Sequence, residues 1–170
     1  MSRDNVWTNK DGLAVGFGTR TKTTSGSFKQ ANDQDGVTQK LTLRFRGEDL
    51  PDATVAGTDQ IMYAPVIPNG SLIKGATLVV LEAFAGATAV LDIGVYDADG
   101  TIVDDDGIDA AIAVTSIDAL NDTIACDGAD IGTVVATTGG VKIAATYDTA
   151  AFTAGEAELV VEYVPAPATS

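Results

Sequence analysis

Six aspartates, Asp97, Asp99, Asp104, Asp105, Asp106 and Asp109, crowd one short stretch of the sequence. Hard carboxylate oxygens at loop spacing are the ligands that Ca²⁺ takes. An EF-hand would need a glycine two residues after a third ligand and a glutamate closing the loop, and neither follows DADG here. Aspartate is also an ordinary turn former, so solvated turns are the default reading of this cluster. Histidine is absent, which removes the commonest general base, the serine triad and imidazole-ligated zinc or haem. The single Cys126 excludes an internal disulfide, a CxxC redox pair and a thiolate zinc cage. Inside an apolar strand it reads as a small core residue. Ser71 and Ser116 have no basic partner within a motif, so an activated nucleophile has no support. Paired carboxylates could hydrolyse glycosides, but that chemistry needs a cleft, usually rich in aromatics, and aromatic residues are 6% of the chain. No enzymatic activity, cofactor or metal is expected.

The elements that could carry such groups are strands. A chain of 170 residues supports one domain, or one domain with an arm. Its 45% hydrophobic content and mean hydropathy of +0.17 require a packed body despite a formal net charge of -14. The 18 glycines, with many Thr, Val and Ala, suit short strands and tight turns. Leu41, Leu43 and Phe45 alternate with Thr42, Arg44 and Arg46, which predicts a half-buried strand. QIMYAPV, ending at Val66, predicts another, stopped by Pro68, Asn69 and Gly70. SLIKGATLVVLEAF predicts a central strand that Gly75 splits by a bulge or bend. AVLDIGVY, turned by DADG into TIV, predicts a hairpin. Residues 104–122 read as a loop with a short helix. Strands then resume at DTIAC, IGTVVAT, VKIAATY and AELVVEYV, the last two with clean period-2 faces. Short strands near ten residues apart, with no helix long enough for a crossover, predict an all-β fold. The expected architecture is an antiparallel β-sandwich, jelly-roll-like, with an extended N-terminal arm.

Charge divides the chain into two parts. Residues 1–47 hold eight basic side chains against four acidic ones, giving 8 − 4 = +4. Residues 48–170 hold Lys74 and Lys142 against twenty carboxylates, giving 2 − 20 = -18. The reading is a basic N-terminal arm plus first strand over 1–47 and an acidic sandwich body over 48–170. From Thr19 to Lys40 the chain is almost without aliphatic residues, so it contributes no core face of its own. The basic segment either balances an acidic, soluble body or faces different surroundings and anchors it. Trp7, Phe17 and Phe28 correspondingly either tuck back onto their own body or dock on another subunit. A sequence pI near 4.1 argues against nucleic acid as a partner. No apolar run spans a bilayer and the start MSRDNVWTNKDG lacks a signal-peptide segment, so the expectation is a soluble, cytosolically made product with no membrane partner.

The opening NVWTNKDGLAVGFGTR, the strand LTLRFR, IPNGSLIKGATLVVLEAF, LDIGVYDADG, GADIG and the closing TAGEAELVVEYV together resemble capsid decoration, or cement, proteins of tailed bacteriophages. The resemblance implies a non-enzymatic β-sandwich on the outer surface of the capsid, synthesised in the host cytoplasm. Its implied partners are the major capsid protein and further copies of itself, as a homotrimer. The implied arm lies over neighbouring capsid subunits, with Trp7, Phe17, Arg20, Lys22, Phe28, Arg44 and Arg46 as contact residues. Two other readings stand beside this one: a tail or head-fibre subunit, and a carbohydrate-binding β-sandwich for host attachment.

Overall fold

The computed structural model describes residues 6–8, 14–16, 38–53 and 65–166. The first two pieces are β1 (Val6–Thr8) and β2 (Ala14–Gly16), which pair antiparallel with each other. The body follows as β3 (Gln39–Arg46), β4 (Leu72–Ala85), β5 (Val90–Asp97), β6 (Ile102–Ala113), β7 (Thr123–Cys126), β8 (Val141–Asp148) and β9 (Ala154–Val164). One sheet has the order β3-β9-β4-β7 and the other β6-β5-β8, all neighbours antiparallel. The expected all-β sandwich is therefore present, and the strand that charge groups with the arm is an edge strand of its four-stranded sheet.

Alternation explains the sandwich. Leu41, Leu43 and Phe45 of β3 and Ala157, Leu159, Val161 and Tyr163 of β9 are buried, as their period-2 faces require. They pack with Ile73, Leu78 and Val80 of β4 against Leu91, Ile93 and Val95 of β5 and Ile143 of β8 in one apolar cluster spanning both sheets. Burial of side chains this size stabilises by roughly 1.5–3 kcal/mol each, an upper bound set against the ordered extended chain. Phe84 fills one end of the core, its ring 6.3 Å from Phe45 and 5.1 Å, edge-on, from Phe152. Gly155, at φ +123°, lies against that ring, where any Cβ would overlap it.

Three expectations need correction. Residues 104–113 belong to a strand, β6, not to a loop with a helix, and only Val114–Ser116 form a single 3₁₀ turn. The alternation that would have disclosed β6 is broken by a bulge. Ile93 pairs with Asp109 and Val95 with Asp104, so Asp105–Ile108 are accommodated opposite Gly94 alone. The Asp105 backbone lies where a side chain at 94 would be, which requires glycine there. The predicted strand IGTVVAT is instead a turn followed by an isolated bridge from Val134 to Leu72. Gly132, at φ +84°, donates its N–H to Ile73 O at 2.8 Å, Thr133 O accepts from Ile73 N–H at 3.0 Å and Val135 N–H donates to Ser71 O at 2.8 Å, so the segment follows β4 only through these few bonds. Finally, β4 runs unbroken through Gly75, with the expected bulge between Ile73 and Gly75. Most of the predicted strand QIMYAPV lies outside the described residues. Just beyond its end, Ile67 makes an antiparallel bridge to Val141 on the free side of β8.

Candidate interaction surface

Register determines which charges meet on the outer face of the four-stranded sheet. Lys40, Thr42, Arg44 and Arg46 lie opposite Glu162, Val160, Glu158 and Glu156. Thr77 and Val79 of β4 continue the rows beside Val160 and Glu158. Lys40 Nζ is 2.9 Å from Glu162 Oε1, and Arg44 Nε donates to Glu156 Oε1 at 2.6 Å. These donors hold both glutamates below the usual carboxylate range, chiefly through the hydrogen bonds. Lys74 projects at the bulge and donates to Thr38 Oγ1 at 3.3 Å. The centre is uncharged: Thr42, Val160, Thr77 and Ala125 form one row across all four strands.

The three-stranded sheet carries the opposite electrostatics. The carboxylate oxygens of Asp104, Asp105 and Asp106 lie within 4.8 Å of one another. Asp106 is raised above the ordinary carboxylate value, first by its hydrogen bond with Asp104 and then by desolvation and the neighbouring negative charges. Asp92 is raised by burial and by Asp148 and Asp105, although it accepts the Ala111 N–H at 2.7 Å. Asp130, whose N–H donates to Gly107 O at 2.8 Å, is raised by burial and by Asp104. Of the six clustered aspartates, the bulge brings together these three of β6 and separates the rest. Asp97 Oδ1 accepts the N–H groups of Asp99 and Thr101 at 2.9 and 2.8 Å and so builds the hairpin turn. Asp109 is buried at 6% exposure beside Cys126. Burial, followed by the Asp109 charge, pushes the Cys126 thiol up to about 12, the condition of an inert core cysteine. Ser71 Oγ is likewise buried without a hydrogen-bond partner, out of reach of any substrate.

Among the expected contact residues, Arg44 and Arg46 project from β3 on the mixed-charge face. Trp7 is in β1, opposite Val15 of β2. Phe17, Arg20, Lys22 and Phe28 lie outside the described residues. Reading the sequence missed Lys40 and Lys74 as members of this face, and Glu156, Glu158 and Glu162 as their counter-charges. The alternation in AELVVEYV held the signal for the glutamates, but only the pairing of β3 with β9 brings them beside the cations.

No protein-family model and no curated protein matches the sequence. Two solved structures are similar in fold. A chain of the cyanophage Pam1 capsid asymmetric unit aligns with a TM-score of 0.57 at 14% identity, covering 86% of this chain and 97% of that one. A chain in the capsid of Ralstonia phage GP4 aligns with a TM-score of 0.51 at 14% identity, covering 91% and 93%. The sandwich described above is thus a fold found in chains of two bacteriophage capsid structures.

Proposed function

We propose that this chain is a non-enzymatic structural protein of a bacteriophage virion, which binds the assembled lattice of the major capsid protein on the outer surface and stabilises it, as a trimer. The observation that carries the reading is the fold match over nearly the whole of both chains, each from a phage capsid. Fold alone does not fix function, so the charge layout and the chemistry matter as support. Cys126 and Ser71 are buried groups unsuited to attack. The strand order also suits a jelly roll: with Ile67 bridging to β8, the second sheet would read Ile67 segment, β8, β5, β6, opposite β3-β9-β4-β7. The basic arm over 1–47, with Trp7, Phe17, Arg20, Lys22 and Phe28, reaches neighbouring subunits, and the acidic body stands outward. No membrane and no nucleic acid takes part: the net charge of -14 opposes phosphate binding.

A domain that binds only the assembled lattice stabilises it by its binding free energy, and several weak contacts joined in one oligomer gain avidity. The test is add-back of the purified chain to shells assembled without it. Saturable binding that raises the shells' thermal dissociation temperature is expected. Deletion of residues 1–37 abolishes that binding while leaving a soluble body. Absence of binding by the full chain, or gold labelling confined to the tail, overturns the proposal.

A further inference from the structure

We propose that the junction between β6 and residues 127–131 is a pH-dependent latch, closed in mild acid and loosened at neutral pH, where those residues lift from β6 while β7 stays paired with β4. β6 is an edge strand of the three-stranded sheet and β7 an edge strand of the four-stranded one. Just after Cys126 the chain steps from one sheet to the other. Gly128 N–H donates to Ile108 O at 2.9 Å and Asp130 N–H to Gly107 O at 2.8 Å. Gly128 lies so close to the Gly107–Ile108 peptide that a Cβ there would overlap it. Two backbone bonds along a short contact make a unit that can open locally, without the continuous ladder that joins β4 to β9.

Carboxylates stand on both sides of this contact. β6 brings Asp104 and the buried Asp109, and the stepping segment brings Asp127 and Asp130. Asp109 faces Cys126 of β7 and Asp127 across the junction and Asp92 of β5 beside it, while Asp130 faces Asp104. Hydrogen bonds from the Cys126 thiol and the Ala110 N–H steady charge on Asp109, and one from Thr133 does so on Asp130. No Lys or Arg among the described residues takes part in either environment. Burial first, and these like-charged neighbours next, raise both groups above the ordinary carboxylate value. Lifting the segment returns both to water and parts Asp127 from Asp109 and Asp130 from Asp104. The closed junction therefore holds its full stability below the ordinary carboxylate value and loses it as pH rises through the raised ones. Opening bares the Gly107 and Ile108 carbonyls on an edge strand, a template for an added strand that acidification covers again.

Amide hydrogen exchange of the full chain at low denaturant tests the latch. The Gly128 and Asp130 amides are expected to exchange through an opening that depends less on denaturant than that of the central strand β9. Corrected for intrinsic exchange, their opening constants rise about tenfold from the ordinary carboxylate range to neutral pH. Asp109→Asn flattens that rise. Asp127→Asn, a change at an exposed residue, reduces it with the melting temperature unchanged, and decides the matter alone if Asp109→Asn does not fold. Glu82→Gln, on β4, leaves it unaltered. Junction amides that exchange only together with those of β9 overturn the proposal. So do opening constants that stay level with pH, or a rise that persists undiminished in the aspartate variants.

Discussion

On the four-stranded sheet the glutamates of β9 lie beside cations of β3, whereas the aspartates on and around β6 have mainly one another for company. Hydrogen bonds from Arg44 and Lys40 pull Glu156 and Glu162 down, whereas burial first and neighbouring carboxylates second push Asp92, Asp109 and Asp130 up, and Asp106 is raised chiefly by its hydrogen bond with Asp104. The difference follows from topology. The basic strand is the first of the body and its acidic partner the last, so sequence-distant opposites become neighbours. The aspartates of β6, by contrast, are adjacent in sequence and cannot escape each other.

The comparison can be broken most severely at Gly94, which lets the β6 bulge lie over the sheet. Gly94→Val is expected to cost about 3 kcal/mol or more by chemical denaturation, because backbone and not a flexible side chain blocks the added atoms. Thr77→Val on the opposite sheet should change stability by less than about 0.5 kcal/mol. A smaller effect comes from acid. The raised aspartates favour the protonated fold, so their contribution is fully present below the ordinary carboxylate value and is lost as pH rises through their raised values. The lowered glutamates contribute above the ordinary value and lose that contribution as pH falls through their lowered ones. Stability should therefore rise as pH falls from neutral through the raised aspartate values toward the ordinary carboxylate range, and decline only in stronger acid, as Glu156 and Glu162 protonate. A melting temperature that falls steadily from neutral pH downward would contradict this.

Asp109→Asn sharpens the same contrast at one residue. It removes a buried carboxylate while keeping an acceptor beside Cys126, and should gain about 1 kcal/mol at pH 7 and flatten the pH profile. The thiol of Cys126 should stay unmodified by a thiol reagent at pH 8 in the native protein and react on unfolding. Smallest of all is Arg44→Gln, whose exposed ion pair should leave the denaturation midpoint indistinguishable from wild type at moderate salt.

Strands with an uninterrupted period of two were legible in the sequence: LTLRFR and AELVVEYV gave both the element and its buried face. The Asp105–Ile108 bulge was not, because extra residues on one strand destroy the alternation while the pairing on either side persists. IGTVVAT misled in the other direction, its β-branched residues outweighing the turn that Gly132 permits. For the candidate surface, the unequal charge of the two chain segments could be read directly. That the inequality becomes one between two faces of a sandwich could not, since it depends on β3 choosing β9 as its neighbour.

That same choice of neighbour fixes the geography of the two ends of the body. Gln39 is opposite Tyr163, whose hydroxyl donates to the Gln39 side chain at 2.8 Å, so the chain enters β3 at the pole where it leaves β9. Cargo fused after Val164 would emerge at the pole where β3 begins. The bends around Thr88 and Thr149, joining strands at the far pole, are the places from which a grafted peptide would point away.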